Sequence, residues 1–179
     1  ELVEDAVADM DAVAAAGRGD QDAGTAVQFG RRGEPGQDLE GDVLDREKLA
    51  RAMEAHDVVY ANLAGAMKQQ AEHIVAAMHT TGLKRLIFIS SMGIYGEVPG
   101  ERYRSVLDPY RDSAAVIETS DLDYTVLRPG WFTDEDEVNY RVTQKGEPFQ
   151  GHDVSLNSLS DLIVKIATTQ GLHVRRSLG

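Results

Sequence analysis

The chain has 179 residues, no cysteine, and 30 acidic against 18 basic side chains, a formal charge of -12. That length supports one core burying roughly 70% of the unfolded surface. The acid excess argues against nucleic acid, whose binding needs Lys and Arg to displace counterions from phosphate. Disulfides, thiolate metal sites and cysteine nucleophiles are excluded, and a reducing cytoplasm suits the composition. The longest apolar run, Val58 to Met67, falls short of the ~20 residues that cross a bilayer, and the amino terminus is acidic rather than signal-like. A soluble, unsecreted protein without membrane contact is expected.

Residues 1 to 40 are rich in Ala, Gly, Asp and Glu. The opening ELVEDAVADMDAVAAAG is helix-prone up to Gly17, GRGDQDAG reads as a solvated turn or loop, and Thr25 to Gly30 reads as a short strand followed by Arg31 and Arg32. From Gly41 onward, strands and helices alternate. Asp45 is the expected N-cap of a helix through Ala55, with Leu49, Ala52 and Met53 on one face. A buried strand follows over Asp57 to Leu63. Met67, Ala71, Ile74, Val75 and Met78 recur at helical spacing, and Gly82 is the stop. Lys84 to Ser90 is the next strand, Pro109 to Thr119 a helix, and Asp123 to Arg128 another strand. Ser158 and Asp161 form a Ser-x-x-Asp capping box ahead of Leu162, Ile163, Ile166 and Ala167. A last short strand is expected within His173 to Leu178.

Strands this uniformly apolar, alternating with helices, call for a parallel sheet covered on both faces. Crossover connections then bring the strand carboxyl ends to one edge, so the segments starting at Asn62, Ser90 and Arg128 should converge on one crevice. Such a crevice is where open α/β sheets bind ligands. The five histidines are scattered and the acidic run Asp134 to Glu137 reads as solvated surface, so no metal site is expected.

The segments GDVLD from Gly41, ANLAG, KRLIFISSMGIYG, the tyrosine of DPYRDSAAVIE, and DLDYTVLRPGWF together resemble the atypical short-chain dehydrogenase/reductase group, in particular its NmrA-like NAD(P)-binding proteins. The resemblance runs from about Gly41 to the carboxyl terminus. It implies a three-layer, Rossmann-like doubly wound parallel sheet forming one domain over residues 1–179, with NADP or NAD as cofactor.

It also implies site residues. Asp42 and Val43 would meet the adenine, against the reading that Asp42 is a solvated part of a helix-initiating loop. Leu63, Ala64 and Gly65 would form the small-residue turn that admits ribose and phosphate, against a tight turn with no ligand. Ser90 and Ser91 lie at the strand end, and Ser91 matches the serine that hydrogen-bonds a substrate carbonyl. Tyr110 matches the tyrosine that moves the proton. A lysine four residues after that tyrosine lowers its pKa in related enzymes, and here that position is Ala114. An unassisted phenol, with a pKa of about 10, is a poor proton relay at neutral pH. Arg111 is no ready substitute, because neighbouring helix positions point about 100° apart. Tyr95 and Tyr103 are alternative donors or packing residues with wet hydroxyls. Pro129 and Gly130 would lie beside the nicotinamide, and Trp131 and Phe132 either wall the pocket or cover the sheet edge. The segment between Ile94 and Pro109, with Glu97, Glu101, Arg102 and Arg104, is expected over the active edge, where it would decide the substrate.

Proteins of this group open with an apolar strand and a Gly-x-x-Gly-x-x-Gly turn that holds the pyrophosphate. Residues 1 to 40 contain no such pattern, so the first strand and glycine turn are expected to be missing. On that reading Arg31, with Arg32, stands where family members hold the 2′-phosphate of NADP; the alternative is a solvated arginine pair. Two functional classes follow. One is an NAD(P)H-dependent reductase of a small carbonyl, quinone or flavin. The other is a non-catalytic NAD(P)-sensing protein read by a protein partner or a homodimer, or a degenerate relative with weak cofactor binding.

Overall fold

The computed structural model describes residues 26–30 and 42–179. The helix-prone opening, the loop after it, Arg31 and Arg32 lie outside the described residues.

Helix α1, Arg46–Met53, starts where expected because the Asp45 carboxylate accepts a hydrogen bond from the Lys48 amide at 3.1 Å, satisfying one of the orphan donors of a first turn. It buries Leu49 and Met53. Helix α2, Met67–Thr81, buries Met67, Ala71, Ile74 and Met78 and ends at Gly82, whose φ of 76° is the left-handed C-cap that glycine adopts without steric penalty. Helix α3, Asp108–Glu118, follows a 3-10 turn at Ser105–Leu107 and has Pro109 in its first turn, where a missing N–H costs nothing.

Helix α4 departs from expectation. It covers Leu156–Thr168 rather than opening at Ser158, and its N-cap is Ser155, whose hydroxyl accepts from the Ser158 amide at 3.0 Å. Ser158 is fully buried inside the first turn, where its hydroxyl donates to the carbonyls of Glu137 and Asn139. The Ser-x-x-Asp pattern points to Ser158, but the hydroxyl of Ser158 is held by long-range bonds and the cap falls to Ser155.

The main sheet has the order β1-β2-β3-β4-β7, from β1 (Ala26–Gly30), β2 (Val58–Asn62), β3 (Arg85–Ile89), β4 (Asp123–Leu127) and β7 (Arg176–Leu178). The last four are parallel, with Val58 opposite Arg85, Arg85 opposite Asp123 and Thr125 opposite Arg176. β1 is antiparallel to β2, Ala26 facing Asn62 and Gly30 facing Val58. Strand direction is the one property that apolar alternation leaves open, since side chains alternate identically in either sense. β7 starts three residues later than His173, because His173 and Arg175 take φ values of 52° and 55° in the preceding turn.

Alternation along the strands builds two cores. Leu86 and Phe88 of β3, Val59 and Ala61 of β2 and Val126 of β4 pack with α1, α2 and α3. Ile87 and Ile89, with Tyr60, Leu127 and Leu178, pack against Leu159, Ile163 and Ile166 of α4. The result is the three-layer, Rossmann-like α/β arrangement, with helices on both faces of the sheet. A second, two-stranded parallel sheet joins β5 (Trp131–Thr133) to β6 (Asp153–Ser155). Beyond β7, the segment 143–145 closes the edge through Thr143 N to Gly179 O at 2.8 Å and Lys145 N to Ser177 O at 2.9 Å. Among the described residues no helix is long and apolar enough to cross a membrane.

Phe88 is wholly buried at the centre of the sheet. Phe88→Ala is expected to lower stability by about 3–5 kcal/mol, measured as the shift of the urea unfolding midpoint at constant slope.

Candidate functional site

The carboxyl ends of β2, β3 and β4 open into a cleft of about 550 Å3. Its floor comprises Asn62 to Ala64, Ile89 to Met92 and Pro129 to Phe132, and its far wall comes from residues between Gly93 and Tyr110. The parallel register sets this convergence: Asn62, Ile89 and Leu127 are paired across three strands, so the chain leaves each strand at the same height.

Of the sequence-predicted residues, Leu63, Ala64, Ser90, Ser91, Tyr110, Pro129, Gly130, Trp131 and Phe132 all line this cleft. Leu63 sends its side chain into the core, so the cleft meets its backbone, while Ala64 is exposed. Gly65 adjoins without lining it. Its φ is 75° and a Cβ there would meet nothing within 4 Å; the turn needs glycine for its conformation and keeps open space beside it.

Ser90 is buried and donates to the Tyr110 carbonyl at 3.3 Å, tying the strand end to α3. Ser91 is half-buried, and its hydroxyl reaches only the Met92 carbonyl at 3.2 Å. Among the described residues the Tyr110 hydroxyl has no hydrogen-bond partner. Ala114, at the position where a lysine would assist it, is fully buried in the core. Arg111 is committed elsewhere, to Asp112 at 2.8 Å and Asp108 at 3.0 Å, and to the Tyr103 hydroxyl at 3.0 Å. Tyr103 lines the cleft with its hydroxyl donating to Asp108 at 2.6 Å, a bond that raises its pKa.

Tyr95 does not belong to the cleft. Its hydroxyl donates to Glu118 at 2.6 Å beneath Lys145 and Arg128, and burial, followed by that carboxylate, pushes its pKa up. Asp42 and Val43 lie outside the cleft as well. The Asp42 carboxylate accepts from the Leu44 amide at 2.9 Å in a local turn, and Val43 is a core residue. Arg31 lies outside the described residues.

Gly130 has a reason of its own for being glycine. A Cβ there would overlap the carbonyl oxygen of His152, because β5 is drawn against the chain entering β6, with Trp131 N donating to His152 O at 2.9 Å.

Arg128, expected only as the start of a segment at the crevice, has a structural role that its sequence context does not announce. It is wholly buried and ion-paired to the buried Glu97 carboxylate. Its Nε donates to Ser177 Oγ at 3.1 Å, its Nη2 to the Ser177 carbonyl at 3.4 Å, and its guanidinium lies 5.2 Å from the Tyr95 ring centroid. Glu97 also accepts from the amides of Gly93 at 3.0 Å and Tyr95 at 2.8 Å. The one clue in the sequence is an arginine ending an otherwise apolar strand. Among the described residues no three His, Asp or Glu side chains converge as a metal site requires.

A Rossmann-type sheet with a crevice at its strand carboxyl ends defines a nucleotide-binding class of protein. The NAD(P)H-binding family model matches residues 2–170, and the chain belongs to that family. Its cofactor is accordingly NADP or NAD, as expected from the sequence. Among solved structures, a Rossmann-fold NAD(P)-binding family protein from Shigella flexneri is 42% identical, with a TM-score of 0.69 over 79% of this chain and 68% of that one. A short-chain dehydrogenase/reductase from Veillonella parvula, solved in complex with NADP, is 27% identical, with a TM-score of 0.68 over 79% and 70% of the two chains. Comparison with curated proteins gives no match.

Two stability measurements test this construction. Gly130→Ala is expected to cost about 1–3 kcal/mol through the clash with His152, seen as a lower thermal midpoint. Arg128→Met, which strands the Glu97 charge in the interior, is expected to cost about 3–5 kcal/mol in urea unfolding, and adding Glu97→Gln should recover part of that loss.

Proposed function

We propose that the chain is an NAD(P)H-dependent reductase of the NmrA-like, atypical short-chain dehydrogenase/reductase kind, working in the cytoplasm. The observation that carries this reading is the convergence of Ser91, Tyr110, Pro129 and Trp131, from three separate stretches of sequence, on one cleft. The described residues suit the nicotinamide half of the cofactor. Ala64 and the open turn at Gly65 leave room for backbone approach, Ser91 offers a hydroxyl, and Pro129 presents a face without an N–H. When bound, NAD(P)H supplies a hydride. Ser91 donates a hydrogen bond to the oxygen of the acceptor, orienting it, and Tyr110 delivers a proton to that oxygen as its charge develops.

Ala114 leaves Tyr110 without the lysine that assists the matching tyrosine in related enzymes, so on this reading proton delivery rests on the tyrosine alone.

A second reading rests on the same buried Ala114. In a non-catalytic NAD(P)-sensing protein the missing lysine reflects lost chemistry, and a protein partner or second copy would read cofactor occupancy.

Titration with NADPH and NADH, followed through Trp131, the chain's only tryptophan, is expected to show saturable quenching. Oxidation of the bound cofactor by quinone, flavin or carbonyl acceptors, read at 340 nm, then separates the two readings, since a sensor binds without turnover. In the enzyme, Ser91→Ala and Tyr110→Phe should each lower kcat/KM about 100-fold with cofactor affinity nearly unchanged. Full turnover in Ser91→Ala would overturn the assignment of that hydroxyl.

A further inference from the structure

Among the described residues five large apolar side chains are notably exposed: Tyr103, Val106, Trp131, Phe132 and Val138. Four of them, all but Val138, line the same cleft. Exposed apolar surface gathered in one concavity marks a binding site rather than a scatter of surface residues. Trp131 is the clearest member. One side of its indole is propped by the His152 ring, with centroids 6.4 Å apart and an interplanar angle of 29°, yet 56% of the residue stays exposed. A tryptophan stacked on one neighbour with most of its surface open offers a platform for another flat ring.

The charges of the wall are equally uneven. Arg102 and Arg104 line the cleft, both are exposed, and neither pairs with a carboxylate of the described residues. Other arginines nearby are committed: Arg111 to Asp108 and Asp112, and Arg128 to Glu97. Among the described residues Glu101 is the one acid lining the cleft, against two guanidinium groups without a carboxylate partner there, in a protein whose formal charge is -12. Free guanidinium groups beside an apolar wall suit a carboxylate, sulfonate or phosphate carried on a flat body, because their donor fork matches such oxyanions.

Building on the reductase reading, we infer that the acceptor taken by this cleft is a flat aromatic ring system bearing a negative charge, stacked on Trp131 and neutralised by Arg102 and Arg104. A small aliphatic carbonyl would leave Trp131, Phe132 and the apolar part of the wall uncovered.

The test separates recognition from turnover by titrating the full chain in saturating NADP⁺, which has no hydride to give, with binding read by calorimetry. The probes are anthraquinone-2-sulfonate, neutral 2-(hydroxymethyl)anthraquinone and pyruvate. The sulfonate is expected to bind about tenfold more tightly than the neutral ring, and pyruvate to be the weakest. Arg102→Ala combined with Arg104→Ala should abolish the preference for the sulfonate while leaving neutral-ring binding and NADP⁺ binding unchanged. Trp131→Ala should weaken both rings about tenfold. All three positions are exposed, and an unchanged urea midpoint verifies the fold of each variant. Equal affinity for the charged and neutral rings would overturn the inference, as would loss of NADP⁺ binding in the arginine variant, which would assign those residues to the cofactor. The expected binding pattern with no NADPH oxidation by the sulfonate would support the inference and count against the reductase reading alone.

Discussion

A guanidinium with no exposed surface must replace its lost hydration with fixed partners, and Arg128 finds them in the Glu97 carboxylate, the hydroxyl and carbonyl of Ser177, and the face of Tyr95. The partners come from two distant pieces of chain, Ser177 from one and Glu97 and Tyr95 from the other. Arg128 itself ends the run of β4, with its amide donating to Leu178 O at 2.7 Å, and Ser177 lies in β7. Glu97 spends its remaining acceptor capacity on the amides of Gly93 and Tyr95, folding the chain that leaves β3 into a compact loop. The Glu97 carbonyl in turn accepts from the Phe149 amide at 2.9 Å, which brings in the segment that leads to β6. The cleft floor begins at the next residue, Pro129, and the cleft wall begins at Gly93, so one dry ion pair anchors both sides of the site.

How much of this was legible follows from the range of the forces involved. Asp45 and Gly82 act on their own helices through bonds three or four residues long, and both helices appear where the sequence indicates them. The strand interiors were equally legible, because burial on both faces demands apolar residues throughout. What failed depends on distant chain. The Ser-x-x-Asp pattern at Ser158 was a local signal, and the carbonyls of Glu137 and Asn139 that hold Ser158 inside the first turn are distant in sequence. The pairing of β5 with β6 involves three residues on each side and leaves no periodicity to read. Gly130 was recognisable as a special position, but its constraint comes from a carbonyl 22 residues away in sequence. Arginine at 128 reads as a surface residue by its type, since only the approach of Glu97 makes burial tolerable.

The two sides of the cleft differ in how firmly they are held. The floor is set by the sheet: Ser90 N donates to Leu127 O at 2.7 Å and Met92 N to Pro129 O at 3.1 Å, so the two strand exits are stitched together past the last ladder bond. A cofactor lying there meets a surface whose shape follows from the fold. The wall has a different construction. Between Val98 and Leu107 the backbone hydrogen bonds among the described residues are local turns, Glu101 N to Val98 O and Leu107 N to Arg104 O, and Tyr103 and Val106 are exposed along the cleft.

The outer end of that wall is fastened by Tyr103, which bonds Asp108 and receives a bond from Arg111, with the guanidinium 5.5 Å from its ring centroid. These groups are exposed, so the attraction is screened and modest, in contrast to the dry pair at the inner end. The wall is thus pinned hard at Glu97 and lightly at Tyr103. Asp108 and Arg111 belong to the first turns of α3, on either side of Tyr110. Any acceptor that displaces Tyr103 or draws on the charge of Arg111 therefore acts on the same turn of helix that carries the proposed proton donor. On the proposed reductase reading, recognition at the wall would reach the proton donor through fewer than ten residues of chain, without asking the buried core to move.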